Sequence, residues 1–477
     1  MSDFNSSTRF ALNPVNLDIQ RSKFPRNHTH KTTANISELI PIFCQEVLPG
    51  DTWQLKTNKV LRLPTLLTPF MDNLYCDFAY YFVPNRLTWE HWKQFLGDND
   101  KTSWIPQKKY QIPTIKVASY DPESTESQVN FQVGDIADYM GVPTYRACEV
   151  SALPFRALAL IWNEWYRDEN LQDPLVVNLG DESVDLTSIS RDEIEDLEKP
   201  ALGLGKLYSN KLHDYFTSAL PSPQKGPDVT LSLGTAAPVI AKNGVFSDMS
   251  YLDQSDSLKW DYTLNGNHVT VPWKTLLVTD PTDGAEGTKM SSTTYNTRDQ
   301  QIYPENLVAL LDSSTGVTVN ELRIAFQLQK FYERCARGGT RYTELLRSFF
   351  SVNPPDASLQ RPEFLGGNRL PIHVTQVIQQ SETVGEQPLG NLAATSLTTD
   401  SHFDFTKSFT EHGYIIGVMT CRYDHTYQQG LDKMWSRRDP FDFYWPVFAN
   451  LGEMPVLNKE IFLSGTDADD EVFGYQE

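Results

Sequence analysis

The chain lacks several features that would assign it to a common functional class. It has no apolar run long enough to span a bilayer, and residues 1–9 lack the basic-then-apolar layout of a secretory signal. We therefore expect it to stay in the cytoplasm where it is made. Its five cysteines are scattered, with no CxxC pair and no histidines at zinc spacing, so we interpret them as reduced, mostly buried thiols.

Catalytic and nucleotide-binding motifs are also missing. The sequence has no GxSxG, HExxH, GxxxxGK[ST] or GxGxxG pattern. His28 and His30 have the spacing of two metal ligands, but four nearby basic residues favour a solvated or DNA-contacting role. Residues 467–471 imitate the start of a calcium loop, yet Val472 occupies the position that needs glycine. We therefore predict no enzyme activity, no cofactor and no metal site.

Charge is unevenly distributed along the chain. There are 41 basic against 61 acidic residues, a net charge of -20, which argues against a generic nucleic-acid-binding domain. No acid occurs in residues 19–37, and residues 181–198 are strongly acidic. The basic residues of the first stretch are Arg21, Lys23, Arg26 and Lys31. A second set of basic candidates comprises Arg334, Arg337, Arg341 and Arg347. This pattern predicts one acidic surface and another that is locally basic.

Hydrophobic residues make up 40% of the chain and aromatic residues 12%, enough for a substantial core. β-Branched and aromatic runs separated by turn residues predict strands at 36–48, 52–63, 74–83, 370–379, 402–410 and 414–423. In the third run, Leu74, Cys76, Phe78, Tyr80 and Phe82 alternate with mixed residues, which predicts a core strand of a two-sheet structure.

Three helices are predicted between the strands. Thr88 is interpreted as the cap of a short helix, and Pro154 as the start of a second. The third has a capping box at residues 318–321 and ends at residues 338–339. Its predicted buried stripe consists of Ile324, Leu328, Phe331 and Cys335.

Strands at both ends of the sequence imply sheets assembled from distant segments. Composition leaves a jelly roll, an immunoglobulin-like sandwich and a barrel open. Residues 226–301 are rich in Gly, Ser, Thr, Asn and Asp, and a loop of this length is improbable unless it is functional or forms a small unit.

Several stretches resemble signatures of one viral protein family. They are residues 41–51 (PIFCQEVLPGD), 74–92 (LYCDFAYYFVPNRLTWEHW), 336–342 (ARGGTRY), 355–356 (PD), 360–367 (QRPEFLGG) and 441–446 (FDFYWP). In this order, they resemble the gokushovirus major capsid protein of the Microviridae, which are small icosahedral single-stranded DNA phages. Members of that family typically continue past a segment like residues 474–477 into a further tail, and this sequence stops there.

The resemblance implies a mainly β fold, an eight-stranded antiparallel jelly-roll β-barrel with long helical and loop insertions. Residues 1–35 would be an interior-facing arm, and residues 36–225 the first strands with helical insertions. Residues 226–301 would be a surface protrusion, and residues 302–477 would supply helices, the remaining strands and the C-terminal segment.

The implied function is that of a structural capsid protein, found in the virion and, during assembly, in the host bacterial cytoplasm. Its implied partners are its own copies, as pentamers and an icosahedral shell, and the single-stranded DNA genome. Further implied partners are a small basic DNA-binding protein, an internal scaffolding protein, a DNA pilot protein and a host cell-surface receptor. Arg21, Lys23, Arg26 and Lys31 are the expected interior DNA contacts. An acidic, aromatic-rich carbohydrate-binding or glycoside-hydrolysing β-sandwich is the alternative, and it would need paired carboxylates across a cleft.

Overall fold

The computed structural model describes residues 20–66, 70–98, 109–120, 128–229, 319–381, 389–390, 392–449 and 452–476, and the backbone of five short strands between residues 239 and 309. The chain divides into a first unit, Met1–Pro221 with Arg341–Glu477, and a second unit, Ser222–Thr340.

The strands of the first unit are β1 Glu38–Val47, β2 Thr52–Leu61, β3 Leu74–Pro84, β4 Thr114–Val117, β5 Cys148–Ser151, β6 Val184–Asp185 and β7 Leu207–Tyr208. Those of the second unit are β8 Val239–Ala241, β9 Lys259–Leu264, β10 Asn267–Pro272, β11 Ile302–Pro304 and β12 Leu307–Ala309. The first unit continues with β13 Glu363–Pro371, β14 Val374–Ile378, β15 Leu392–Ser396, β16 Thr398–Ser408, β17 Gly413–Tyr423, β18 Met454–Leu457 and β19 Val472–Gln476.

The α-helices are α1 Asn85–Thr88, α2 Trp92–Phe95, α3 Ile136–Tyr139, α4 Leu153–Ile161, α5 Val319–Gly338, α6 Tyr342–Phe350, α7 Lys433–Ser436 and α8 Asn458–Ile461. Helix α5 belongs to the second unit and the others to the first.

A five-stranded antiparallel sheet organises the first unit, in the order β13-β3-β17-β1-β7. Strand β17 lies between the two early strands β1 and β3, with Ile416 opposite Cys44 and Gly417 opposite Tyr80. Early strands therefore pair with late ones, as the sequence pattern predicts. The fold is mainly β, but the described residues do not form a closed eight-stranded barrel.

One face of this sheet packs against a second, two-stranded sheet formed by β2 and β16. The layer between them is aromatic: the ring centroids of Tyr80 and Phe405 are 6.0 Å apart, and those of Phe82 and Phe409 are 4.6 Å apart. Such ring pairs contribute about 0.5–1.5 kcal/mol each beyond the apolar area that they bury. The predicted apolar face of β3 is therefore confirmed as a core face.

The opposite face of the sheet is covered by a layer built around α4. Tyr81 and Val83 of β3 share a buried cluster with Leu158 and Ile161 of the helix. The helix begins at Leu153 with Pro154 in its first turn, as predicted, and continues as a π-helical turn at Trp162–Tyr166. Both faces of the central strands of this sheet are thus largely removed from water.

A buried arginine joins this helical layer to its surroundings. Nη1 of Arg156 on α4 donates hydrogen bonds to the carbonyl oxygens of Thr88, 3.2 Å away, and Gly180, 3.1 Å away. Burial lowers the pKa of this guanidinium to about 10, although the nearby carboxylate of Asp181 opposes that shift. Arg156 therefore stays charged at neutral pH and connects α4 to the segments that contain Thr88 and Gly180.

Two glycines explain part of the 360–367 signature. The register of β13 against β3 shifts between Phe364 and Gly366. A Cβ atom on Gly366 would lie 2.3 Å from the carbonyl oxygen of Asp404, and one on Gly367 would lie 2.0 Å from that of Phe78. The backbone of β13 can make both close approaches because neither position carries a side chain.

The predicted helix capped by Thr88 is wrong. Thr88 is the last residue of α1, and its hydroxyl donates to the carbonyl oxygen of Asn85 within that turn. Trp89 follows in an extended conformation, fully buried, and its Nε1 donates a 2.8 Å hydrogen bond to Asp181. The second helix begins only at Trp92, so the need to bury the Trp89 ring outweighs the local helical pattern.

Helix α5 has the predicted amphipathic pattern but not the predicted burial. Cys335 is buried, whereas Ile324, Leu328 and Phe331 are 58%, 40% and 46% exposed. They line an open apolar groove together with Arg323 and Gln327. The helical period is therefore correct, but these three side chains of the stripe are about half exposed and not buried.

Predictions elsewhere need smaller changes. The strand predicted at residues 370–379 is two strands, β13 and β14, and the one predicted at residues 402–410 begins earlier, at Thr398. The predicted insertion, residues 226–301, lies largely outside the described residues, and its outward position stays a prediction.

A buried ion pair lies between the two sheets. Nζ of Lys59 on β2 is 3.5 Å from Oδ1 of Asp404 on β16, and their side chains are only 6% and 0% exposed. Lys59 also donates to the side chain of Asn368 and lies 4.4 Å from the centroid of the Phe78 ring. Thr57 donates a 2.7 Å hydrogen bond to the other carboxylate oxygen. Each buried charge is therefore partnered.

We expect Lys59→Met to lower the free energy of unfolding by about 3 kcal/mol or more, because it leaves the Asp404 carboxylate buried without its cation. Denaturant unfolding of the purified chain at neutral pH would measure this. The matched control is Lys116→Met, which breaks a 3.0 Å pair with Asp185 whose side chains are 52% and 53% exposed. The control should cost less than about 1 kcal/mol. Equal losses in the two variants would contradict the structural role of the buried pair.

Candidate functional site

The basic arm, defined here as residues 20–35, has no helix or strand and is exposed. Its first anchor is Arg21, whose Nη1 donates a 2.7 Å hydrogen bond to the carbonyl oxygen of Gly50 in the turn between β1 and β2. Gly50 has a φ of 87°, a left-handed conformation that suits glycine in this turn. The arm therefore begins against the β1–β2 turn of the first unit.

A second group of contacts holds the arm further along. The Arg26 guanidinium lies 5.4 Å from the Trp53 ring and donates a 3.4 Å hydrogen bond to the side chain of Gln45. The ring of His28 lies 5.3 Å from that of Phe43. These contacts connect the arm to β1 and β2. Sequence reasoning found the charges of the arm but not its anchors, which depend on side chains of both strands.

The two lysines of the arm differ from its arginines. Lys23 and Lys31 are exposed and make no hydrogen bond or ion pair with any residue that the structure describes. Arg21 and Arg26 are engaged, but a guanidinium has five N–H donors and keeps some of them available. The arm therefore presents four positive charges and anchors two of them. Phosphate oxygens are the usual acceptors for such groups.

The second set of basic residues is divided between the two units. Arg334 and Arg337 are exposed on α5 of the second unit, and Arg347 is exposed on α6 of the first. Arg341 precedes α6 and is engaged within the first unit. Its Nη2 donates to the carbonyl oxygens of Asn163 and Arg167, at 3.0 and 2.8 Å, and its Nη1 lies 3.3 Å from Glu344. Arg341 therefore fixes α6 to the π-helical turn.

The aromatic loop, defined as residues 439–448, is the largest feature that sequence reasoning left without a role. Phe441, Tyr444 and Val447 are 77%, 77% and 82% exposed. The available signal was a dense run of aromatic residues between Pro440 and Pro446 that fits neither a helical nor a strand period. Large exposed apolar patches typically mark interaction surfaces.

Internal contacts support the shape of the aromatic loop. The carboxylate of Asp442 accepts hydrogen bonds from the backbone N–H groups of Arg438 and Asp439, at 2.8 and 2.9 Å, and these bonds lower its pKa. Trp445 Nε1 donates a 2.8 Å hydrogen bond to the carbonyl oxygen of Pro440. Backbone hydrogen bonds from Asp442 to Asp439 and from Phe448 to Trp445 close short 3₁₀ turns at Pro440–Asp442 and Pro446–Phe448. The backbone of the loop is therefore held in shape by hydrogen bonds among nearby residues, while its rings remain exposed.

The described residues contain no group of three or more His, Cys, Asp or Glu side chains able to hold a metal ion. No helix in that part of the chain is long and apolar enough to cross a membrane. The acidic stretch at residues 181–198 lies on the surface, where hydrogen bonds from Thr187 and then Lys116 lower the pKa of Asp185 to about 2. The features able to bind a partner are therefore the basic arm, the groove on α5 and the aromatic loop.

Comparison with known proteins supplies a direct test of the resemblance. A family model described as "Capsid protein (F protein)" matches residues 15–477. Capsid protein VP1 of Bdellovibrio phage phiMH2K is 40% identical, covering 96% of this chain and 79% of that protein. Capsid protein VP1 of Spiroplasma virus 4 is 38% identical, with 96% and 80% covered. Capsid protein VP1 of Chlamydia phage 1 is 37% identical, with 96% and 82% covered.

The anchoring of the arm can be tested with two double variants of equal charge change. Arg21→Gln with Arg26→Gln removes the anchors, and Lys23→Gln with Lys31→Gln removes only free charge. We expect proteinase K to cut the first variant within residues 20–35 about tenfold faster than the wild type, because a cation–π contact and a charged hydrogen bond are lost. The lysine variant should match the wild type. Equal cleavage of the two variants would contradict the proposed anchoring.

Proposed function

The chain belongs to the capsid protein (F protein) family and has a structural role, and on that premise we propose that its copies assemble into a closed icosahedral shell around a single-stranded DNA genome. The match along almost the whole chain is the observation that carries this proposal. It confirms the resemblance to gokushovirus capsid proteins and favours a structural role over the carbohydrate-binding alternative.

We propose that the wall of this shell is built from a jelly roll. In that arrangement β13, β3, β17 and β1 form one sheet, and β2 with β16 forms part of the sheet that faces it. The strand order and the aromatic layer between the sheets support this interpretation. The strands of the two packed sheets come from both ends of the chain. Unfolding of one end would therefore break strand pairs with the other end, which makes the subunit cooperative.

The aromatic loop is proposed as a contact between neighbouring copies. Interface cores are enriched in aromatic residues, and rings that become buried on association, as those of Phe441 and Tyr444 would, provide a large share of interface free energy. Exposed rings at this density are costly for a protein that remains a monomer, because they also favour nonspecific association. The proposed partner for this surface is a second copy of the chain, because shell assembly places neighbouring copies in a fixed orientation.

The basic arm is proposed to face the interior and to contact genome phosphates without reading sequence. Its four positive charges and the absence of acid in residues 19–37 support this role. Arg334, Arg337, Arg341 and Arg347 are further candidates for interior or interface contacts. With a net charge of -20 per chain, such a shell cannot neutralise the enclosed DNA. Small cations and a separate small basic DNA-binding protein are the proposed source of the missing charge.

Residues 226–301 are proposed as the outward protrusion. They belong to the second compact unit of the chain, which supports a part that varies without disturbing the wall. Attachment to a host cell-surface receptor is its proposed use. An internal scaffolding protein and a DNA pilot protein are the remaining proposed partners, and host cytoplasm is the proposed site of assembly.

The assembly contact is testable with a triple variant, Phe441→Ser, Tyr444→Ser and Val447→Ser. We expect folding to be retained, because exposed substitutions usually change stability by less than about 0.5 kcal/mol each. Particle formation, followed by sedimentation and electron microscopy of the chain expressed with its genomic neighbours, should be lost. The matched control replaces three equally exposed apolar residues elsewhere, Met71, Val133 and Leu171, by serine. Assembly of the triple variant at the wild-type level would refute the contact.

The role of the arm is testable by replacing Arg21, Lys23, Arg26 and Lys31 with Gln. Particles should form but hold less DNA, and the deficit should shrink as the salt concentration rises, because each lost phosphate contact reduces the salt slope of single-strand binding by about 0.7. Genome content is measured from the ratio of absorbance at 260 and 280 nm across purified particles. Lys23→Arg with Lys31→Arg keeps the charge and should package normally. Unchanged genome content in the Gln variant would sink the proposal.

A further inference from the structure

Two cysteines that are far apart in sequence meet in the central sheet. Cys76 on β3 lies directly opposite Cys421 on β17 in the strand register. Their sulfur atoms are 3.2 Å apart, and no disulfide joins them. Sequence spacing alone indicated isolated thiols, because 345 positions separate the two residues. The pairing of an early strand with a late one brings them together.

The backbone geometry at this position suits a covalent bond. Directly opposite residues of antiparallel strands have Cα atoms about 4.5 or 5.5 Å apart, and disulfides are formed across Cα distances of about 4.4–6.8 Å. The sulfur atoms must approach by only about 1.2 Å to reach the usual bond length of about 2.05 Å. The distance that remains to be closed is therefore small.

The two thiols are not equivalent. Cys76 is completely buried, whereas Cys421 is partly exposed. The hydrogen bond between them lowers the pKa of Cys421 and, together with burial, raises that of Cys76. The negatively charged Asp77 beside them opposes thiolate formation, but two arginines neutralise it: Arg369 at 2.6 Å, and Arg422. Cys421 is therefore the more accessible thiol and the better nucleophile.

We propose that Cys76 and Cys421 form a redox modification site, which a small-molecule disulfide such as oxidised glutathione converts to a disulfide bond within one subunit. The inference goes beyond the structural role and does not depend on shell assembly. The structural role explains when oxidation would occur, because a virion protein meets reducing conditions inside a cell and oxidising conditions outside it.

The reaction balances in two exchange steps. Cys421 loses its proton, and its thiolate attacks one sulfur of the oxidant, forming a mixed disulfide and releasing one thiolate. Cys76 then loses its proton and attacks the Cys421 sulfur, which forms the internal bond and releases the second thiolate. Two protein thiols are oxidised by two electrons, and the oxidant is reduced to two thiols. The two protons pass to the released thiolates or to water.

The bond would tie together strands from opposite ends of the chain. It would close a loop of 345 positions, and long loops lose the most conformational freedom in the unfolded chain when they are cross-linked. Cys44, Cys148 and Cys335 have no such partner: no other cysteine sulfur lies against them among the described residues. Burial also raises the pKa of Cys44 to about 11. Oxidation should therefore be selective for one pair.

The test treats the purified full-length chain with oxidised glutathione, then denatures it and alkylates the remaining thiols. Intact mass should show three alkylated cysteines where the untreated chain has five. Digestion without reductant should yield one linked peptide containing Cys76 and Cys421. The oxidised chain should also have a higher Tm than the same sample treated with dithiothreitol.

Variants separate the steps of the reaction. Cys76→Ser should accumulate glutathione on Cys421, because the second thiol is absent, while Cys421→Ser should form no linked peptide. Cys148→Ser is the matched control and should still lose two thiols. If a variant fails to fold, the wild-type digest still decides. Five alkylated cysteines after oxidation of the wild type, or a linked peptide between any other pair, would overturn the proposal.

Discussion

Burial of both faces of the central sheet is the constraint on which the rest of the structure depends. A strand such as β3 must carry apolar residues on each side, so Phe82 enters the aromatic layer while its neighbour Tyr81 packs against the helical layer. Strand β17 satisfies the same requirement with Ile415 and Ile416. Covering two faces requires side chains from segments all along the sequence. This explains why the fold pairs early strands with late ones and uses α4, from the middle of the sequence, to cover one face.

Polar groups inside the first unit follow from the same constraint. Three charged side chains of the described residues have partners from distant segments: Lys59 pairs with Asp404, Arg156 with two carbonyl oxygens, and Arg341 with two more. An unpartnered charge in these positions would be strongly destabilising, so each contact also specifies how the segments are arranged. Lys23 and Lys31 of the arm differ in this respect, because they are exposed and solvent satisfies them until a partner arrives.

Features that depend on local pattern were predictable from the sequence, and features that depend on distant partners were not. The alternation of β3 and the Pro154 start of α4 are visible in the residues themselves. The failure at Thr88 has a tertiary cause, because burial of Trp89 and its bond to Asp181 override a plausible cap. On α5 the helical period was correct, but a period cannot reveal what covers an apolar stripe. The charges of the arm were likewise visible, whereas the anchors on Gly50 and Trp53 depend on the fold of two strands.

The self-braced backbone of residues 439–448 has a consequence for the fidelity of the proposed assembly. Association normally loses free energy to the ordering of flexible segments, and a segment already held by its own hydrogen bonds loses less. Preorganisation therefore lets a modest apolar contact suffice, and modest contacts remain reversible. A rigid surface also does not adapt to a neighbour that arrives in the wrong orientation. A misplaced subunit would dissociate before further neighbours trap it, so errors would be corrected while the particle is still growing.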